Sequence, residues 1–199
     1  IKSLTNGNMC PETFSPTPKQ IEALSKADLF MSLGMPFEDL WIKKVGILNK
    51  TKIVSMSEGI KLRDVEKSDH DHHHKHHHGT KDPHVWTSIN NIIIMASNSA
   101  KALKELIPEA SKTIDKNLSV FVKKAEELDK KLKKELSSSK GNTLFVFHPY
   151  YGYFADSYGL IQIPIEAEGK TPTAKQLNHL IKKIKEQNKR IILTQPEFD

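Results

Sequence analysis

Eight of the ten histidines in this chain fall between residues 70 and 84. His70, His72, His73, His74, His76, His77 and His78 form a run broken by Lys75, and His84 follows in the tripeptide Asp82-Pro83-His84. Imidazole is the commonest protein ligand for divalent transition metals, and it binds them in its neutral form. Core packing does not account for such density, because each buried imidazole would need its own hydrogen-bond partner. A purification tag would sit at a terminus, whereas this run is internal. Composition therefore favours a solvent-exposed loop that captures metal.

Three further positions place a metal-competent side chain beside the end of an expected element. Glu12 lies in Cys10-Pro11-Glu12-Thr13-Phe14, His84 in Asp82-Pro83-His84-Val85-Trp86, and His148 directly after the apolar run Leu144–Phe147. Ligands of open α/β sheets bind beyond the carboxyl ends of strands, which is where His148 falls. Each position has a plainer alternative. A loop glutamate is commonly just solvated, His84 would equally cap the following helix or pack on Trp86, and His148 would equally stand behind a ligand or at the surface. His179 lies on an amphipathic helix and reads as exposed. Hydrolytic zinc chemistry, with Glu12 or another carboxylate as general base, competes with simple binding. No His-Glu-x-x-His pair accompanies it.

The elements that must position these residues alternate between strand and helix. Residues 1–18 start as a short strand and break into a Gly/Asn/Pro-rich loop holding Glu12. Pro18 suits the first turn of a helix with Ile21, Leu24 and Ala27 on its apolar face. A buried strand at 28–33 ends at Gly34, a helix is expected at 37–48 and a strand at 52–56. After the histidine loop, a helix over 90–106 turns Ile92, Ile93, Ala96, Ala100 and Leu103 inward. A long amphipathic helix over 111–136 carries Ile114, Leu118, Phe121, Val122, Ala125, Leu128 and Leu132 at helical spacing. It would be about 39 Å long at 1.5 Å per residue, a stiff strut between lobes. Strands at 144–147, 160–165 and 190–193 then alternate with helices near 151–157 and 173–187. The pattern predicts an α/β fold with two lobes of mostly parallel sheet flanked by helices and joined by one long rigid helix. The expected division is an N-terminal lobe at 1–107 that includes the histidine loop at 69–81, a linking helix at 108–139 and a C-terminal lobe at 140–199.

Composition narrows the function classes. The formal charge of +6 invites a nucleic-acid reading. However, the lysines (Lys123, Lys124, Lys130, Lys131, Lys133, Lys134, Lys182, Lys183, Lys185) alternate with glutamates on helix faces and are not interleaved with aromatics. That is how a solvated face looks, and stacking platforms are missing. No nucleic-acid partner is expected. Cys10 is the only cysteine, which excludes a disulfide framework and a cysteine-based zinc site. Neither a run of about 18 apolar residues nor a signal-peptide pattern occurs in these residues.

Several motifs resemble, in order and spacing, those of one family. They are Gly7-x-x-x-Pro11-x-Thr13-Phe14-x-Pro16-x-Pro18, Ala27-Asp28-Leu29 with Gly34, Asp82-Pro83-His84-Val85-Trp86, Phe147-His148-x-x-x-Gly152-Tyr153-Phe154, Tyr158-Gly159-Leu160, and Glu168-Gly169-Lys170-x-Pro172. The family is the metal-specific solute-binding proteins of bacterial ABC importers, the zinc and manganese receptors. A histidine-rich loop ahead of Asp-Pro-His resembles the zinc branch in particular.

This resemblance implies two α/β lobes with the metal held in the cleft between them and with His84 and His148 as ligands. Glu12 occupies the place where the family usually carries a histidine. A His₂Glu set still suits zinc, although it makes manganese harder to exclude. Family members begin with a strand and helix ahead of the Gly7 loop and continue past a segment like Gln195–Asp199, where a later acidic residue supplies a fourth ligand. The chain is therefore expected to be a piece of such a protein, with water or a loop histidine filling that ligand's place. The implied function is an extracytoplasmic zinc receptor, periplasmic or anchored at the cell surface. It would act as a monomer and deliver Zn²⁺ to an ABC transporter permease without making or breaking a bond. The loop histidines would form an exchangeable capture or sensing site that releases metal first as pH falls towards about 6. Trp86, Tyr150, Tyr151 and Tyr153 would form a dry surround for the ligands. The competing readings are a manganese receptor of the same family, a zinc buffer or surface metal-binding protein that uses the loop alone, and the zinc hydrolase.

Overall fold

A computed structural model describes residues 1–4, 14–34, 38, 42, 51–65, 81–166, 173–186 and 193. Glu12, the seven histidines of 70–78, most of the helix expected at 37–48, and the 168–172 and 195–199 motifs lie outside the described residues. So does the side chain of His179.

The chain divides into two compact units, Ile1–Lys61 with Ile89–Leu128, and Leu62–Ser88 with Asp129–Asp199. This differs from the sequence-based division, which assigns 62–88 to the N-terminal lobe. The physical reason is a set of bonds from Arg63 and Asp82 to Tyr153 and Asp156, described below.

In the first unit, α1 (Pro18–Ser25) starts on a capping box. Gln20 N–H donates to Thr17 Oγ1 at 3.4 Å, and Thr17 N–H donates to Gln20 Oε1 at 2.8 Å. Leu24 of α1 packs with Ile42, and Leu4, Ile21, Phe30 and Ile53 close around them. Among the described residues at the start of the chain, 1–4, the expected strand is not formed. The Leu4 carbonyl instead accepts from the Gln20 side chain at 2.6 Å, so the backbone is tied to a helix rather than to a ladder. β1 (Leu29–Ser32) and β2 (Lys52–Ser55) pair in parallel, Leu29 against Lys52 through Ser32 against Ser55. After β1 the chain turns at Gly34, where φ is +75° and a Cβ would lie 2.7 Å from Ser57 Oγ. α2 (Ile89–Leu106) buries Ile89, Ala100 and Ala102, while Ile92, Ile93, Ala96 and Leu103 are half-buried. Its Asn98 donates to the carbonyls of Met56 and Glu58, fixing the helix to the turn after β2.

α3 (Ser111–Glu135) is the long helix, and the boundary between the units falls within it, after Leu128. Ile114, Leu118, Val122, Ala125 and Leu132 are half-buried, but Phe121 and Leu128, expected on the same stripe, remain 42% and 49% exposed. Its lysines pair along the helix, as Lys133–Asp129 does at 2.6 Å, in keeping with a solvated face. Among the described residues, no helix is long and apolar enough to cross a membrane.

In the second unit, β3 (Thr143–Val146) and β4 (Ile161–Pro164) pair in parallel with Val146 opposite Pro164. Between them runs α4 (Gly152–Tyr158), which ends on Gly159 in the left-handed conformation. Phe145 and Val146 of β3 are almost wholly buried. Leu193, the one described residue of the strand expected at 190–193, pairs in parallel with Val146. α5 (Ala174–Glu186) follows with Leu180 buried. Before these elements, Asp64 and Lys81 form an antiparallel bridge reinforced by a 2.6 Å ion pair. This bridge closes a neck on either side of residues 66–80.

Candidate metal centre

The His84 side of the site is built by one short turn. Pro83 has a fixed φ and no N–H, so the chain turns sharply between Asp82 and His84. Asp82 Oδ1 accepts from the His84 backbone N–H at 2.9 Å, an Asx-turn, and contacts His84 Nδ1 at 2.8 Å. A carboxylate on Nδ1 holds the proton there and leaves Nε2 as the nitrogen with the lone pair. His84 precedes a short 3₁₀ turn (Val85–Thr87) but its side chain makes no cap bond. The capping alternative is thereby set aside, while the packing against Trp86 is real, with ring centroids 5.5 Å apart. Tyr150 lies 4.9 Å from the His84 ring and accepts a 2.6 Å hydrogen bond from Trp86 Nε1.

The His148 side is built by sheet register. Beyond Val146 and Pro164 the two strand ends run on together, with Ile165 N–H donating to Val146 O at 2.8 Å and Glu166 N–H to Phe147 O at 3.1 Å. His148 and Glu166, each two residues past a paired position, are thus neighbours, and His148 Nδ1 contacts Glu166 Oε1. The turn is tightened by Tyr150 N–H donating to the His148 carbonyl across Pro149 at 2.7 Å. Tyr151 N–H donates to Gln162 Oε1 of β4 at 2.7 Å, which ties the loop after β3 to the adjacent strand.

The two imidazoles meet edge to face, with Nε2 of His84 and Nε2 of His148 3.3 Å apart. All four side chains are buried, at 2% exposure for Asp82, 4% for His84, 6% for His148 and 5% for Glu166. When both Nδ1 atoms carry their protons, two lone-pair nitrogens face each other, and a cation between them satisfies both. Two imidazoles on one tetrahedral zinc, each with Zn–N of about 2.0–2.1 Å, hold their nitrogens about 3.3–3.4 Å apart. The observed separation fits that geometry. Among the described residues no group of three or more His, Cys, Asp or Glu side chains is arranged around a common metal position.

Asp82 is the electrostatic keystone of the His84 side. Burial alone would raise its carboxyl pKa, but hydrogen bonds from the His84 ring and backbone, attraction to His84 and the Arg63 bond outweigh it and hold the pKa below its ordinary value. Arg63 Nη1 donates to Asp82 Oδ2 at 2.9 Å, and Arg63 Nε donates to Asp156 Oδ2 of α4 at 3.0 Å. Tyr153 of α4 donates its phenolic O–H to the Asp82 carbonyl at 2.8 Å. Sequence reasoning singled out His84 and His148, which the structure brings together, and passed over Glu166, Arg63 and Asp82 beside them. The signal for Glu166 was available in principle: an acidic residue placed after an apolar strand, at the same offset as His148 after its own. Of the aromatic surround, Trp86 and Tyr150 touch His84, Tyr151 meets Tyr150 edge to face, and Tyr153 supports Asp82 through its backbone carbonyl.

Known proteins resemble this chain in sequence and in fold. The profile of the family described as zinc-uptake complex component A, periplasmic (ZnuA), matches residues 1–199. An iron ABC transporter substrate-binding lipoprotein, MtsA of Streptococcus pyogenes serotype M1, is 31% identical over 189 residues, which is 88% of this chain and 58% of that protein. The zinc-binding lipoprotein AdcA of Streptococcus pneumoniae (strain ATCC BAA-255 / R6) is 28% identical over 195 residues, 93% of this chain and 39% of the relative. The chain thus spans between two fifths and three fifths of the length of these relatives. A crystal structure of ZnuA superposes with a TM-score of 0.87 at 35% identity, covering 98% of this chain and 74% of that one. The AdcAII protein of Streptococcus pneumoniae superposes with a TM-score of 0.77 at 26% identity, covering 93% and 67%. With its parallel α/β architecture, its long helix and a profile match over the whole sequence, the chain belongs to the ZnuA family.

Proposed function

We propose that this chain is the metal-binding part of an extracytoplasmic receptor that delivers Zn²⁺ to an ABC transporter permease, with no chemical step of its own. The observation that carries the reading is the buried pair of imidazoles, His84 and His148, with Nε2 atoms 3.3 Å apart and a carboxylate behind each Nδ1. Neutral, oriented imidazoles backed by carboxylates are how proteins build zinc ligands. Glu12, outside the described residues, is the third ligand in this reading. The histidines of 70–78 add an exchangeable capture site near the neck at Asp64 and Lys81. Membership of a family described as periplasmic, and relatives named as lipoproteins, support a place outside the cytoplasmic membrane. A second metal is favoured by one observation, the iron named for the MtsA relative. Manganese or iron is therefore the competing cargo.

Zinc titration calorimetry at neutral pH tests the reading on the 199-residue chain, on a variant lacking residues 70–78, and on His84→Ala and His148→Ala. Structural zinc sites bind with roughly 10–16 kcal/mol over about four ligands, so losing one costs about 3 kcal/mol, or about a hundredfold or more in affinity. A tight one-to-one phase should survive the loop deletion and disappear in both alanine variants. If binding is weak and vanishes with the loop alone, the chain is a zinc buffer. Competition with Mn²⁺ and Fe²⁺ in the same titration fixes the cargo.

A further inference from the structure

Resting on the reading of His84 and His148 as the metal pair, we propose that Arg63 is a positioning residue for that pair and that Gly152 is the space its guanidinium requires. Arg63 fixes Asp82 twice. Its carbonyl accepts from the Asp82 N–H at 3.0 Å, and its Nη1 donates to Asp82 Oδ2 at 2.9 Å. The opposite oxygen, Oδ1, is left to take both the N–H and the Nδ1 of His84. The carboxylate therefore cannot rotate without breaking a bond on one side or the other, and the plane of the His84 ring is set by Arg63.

The guanidinium is itself held from α4. Its Nε bonds Asp156 at 3.0 Å, the Arg63 N–H donates to Tyr153 Oη at 3.2 Å, and its Cζ lies 5.9 Å from the Tyr153 ring centroid. A planar guanidinium donates to the two carboxylates from separate nitrogens held in a fixed relation, which a lysine ammonium, with its three donors on one rotating nitrogen, does not reproduce.

Gly152, the first residue of α4, supplies the independent observation. A Cβ built there would lie 1.6 Å from Arg63 Nη1 and 2.6 Å from Asp82 Oδ2. Its backbone does not call for glycine, because the positive-φ glycines are Gly34, Gly59, Gly141 and Gly159. What glycine provides at 152 is room for the guanidinium. Alanine there displaces the guanidinium and crowds Asp82 Oδ2, so it disturbs the Arg63–Asp82 contact from another element.

The test measures zinc affinity by competition with a chromophoric chelator, and the visible spectrum of the Co²⁺-loaded chain, for wild type, Arg63→Met, Gly152→Ala and the double variant. Removing a group that orients a metal-bound histidine typically costs 10–100-fold in affinity, and about tenfold is expected for each single variant here. The loss in the double variant should fall well short of the sum of the two single losses, because both act on the Arg63–Asp82 contact. The cobalt bands should shift alike in all three. If Arg63→Met does not fold, Gly152→Ala decides alone.

Lower melting temperatures with zinc affinity and cobalt spectrum unchanged would make Arg63 a mere strut and overturn the proposal. Additive losses in the double variant would also overturn it. A wild-type chain that takes up neither zinc nor cobalt refutes the metal pair itself, an outcome distinct from tight binding that is indifferent to Arg63.

Discussion

His84 and His148 are given the same equipment by opposite means. Each carries a carboxylate on Nδ1, but for His84 the carboxylate is two residues away in the same turn, and for His148 it is eighteen residues away on another strand. The His84 arm is a local motif clamped by Arg63 and Tyr153. The His148 arm exists only because β3 and β4 pair with Val146 opposite Pro164. The local arm holds its geometry through charge and hydrogen bonds in one turn. The distant arm draws its geometry from a strand register and from the buried core beneath it.

Removing each carboxylate should separate the two arms most strongly. Asp82→Ala takes one of two carboxylates from a largely buried guanidinium and removes the acceptor of the His84 N–H. A loss of about 3–5 kcal/mol of stability is expected, along with about 10–100-fold in zinc affinity. Glu166→Ala should weaken zinc by a similar factor but cost only about 1–3 kcal/mol of stability. Urea unfolding beside chelator competition measures both, and equal destabilisation by the two variants would erase the contrast.

A smaller effect is expected from Gln162→Leu, which leaves the Tyr151 N–H without its side-chain acceptor, at a cost of about 1–3 kcal/mol. Imidazole NMR signals should then move for His148 and stay in place for His84. Movement of both would mean that the arms are not separable.

The smallest effect concerns alkaline pH and the His84 arm alone. Burial, then the Asp82 charge, push the Tyr153 phenol above its ordinary 10.0, while the Arg63 N–H and charge pull the other way and are outweighed. Burial and the Asp129 carboxylate push Tyr158 up to about 12. The fold favours the neutral phenols, so an unfolded chain ionises first, and stability present below pH 10 is lost as pH rises towards 12. Urea midpoints at pH 8, 10 and 11 should fall for wild type and fall less steeply for Tyr153→Phe. An identical slope would exclude Tyr153 as a contributor.

The same contrast explains what the sequence made legible. Asp82-Pro83-His84 is contiguous, and His148 directly follows an apolar run, so both histidines stand out by type and position. Alternating strands and helices were readable because α2, α3, α4 and α5 each carry their apolar spacing within a few turns. Glu166 follows its apolar strand at the same offset as His148, but their pairing was not readable, since it depends on a register between strands separated by a helix. Arg63 and Gly152 depend on a contact between two distant segments, and neither has an unusual local signal. The opening strand failed for a similar reason: an extended stretch is a strand only if a neighbour pairs with it, and Leu4 is held by Gln20 instead. Phe121 and Leu128 keep perfect helical spacing yet stay exposed, because periodicity marks a face without naming what covers it.

The neck at Asp64 and Lys81 has a consequence for how this chain can change. Its two sides are already joined by a bridge and an ion pair, so the ends of an insert between them are held together by Asp64 and Lys81 themselves. Doubling the length of such an insert costs only about 0.6 kcal/mol. Lengthening or shortening the chain between residues 66 and 80 should therefore leave Arg63, Asp82 and His84 in their places. A fluorescent peptide spliced between residues 66 and 80 would join the chain beside the Asp64–Lys81 bridge, one residue in sequence from Asp82.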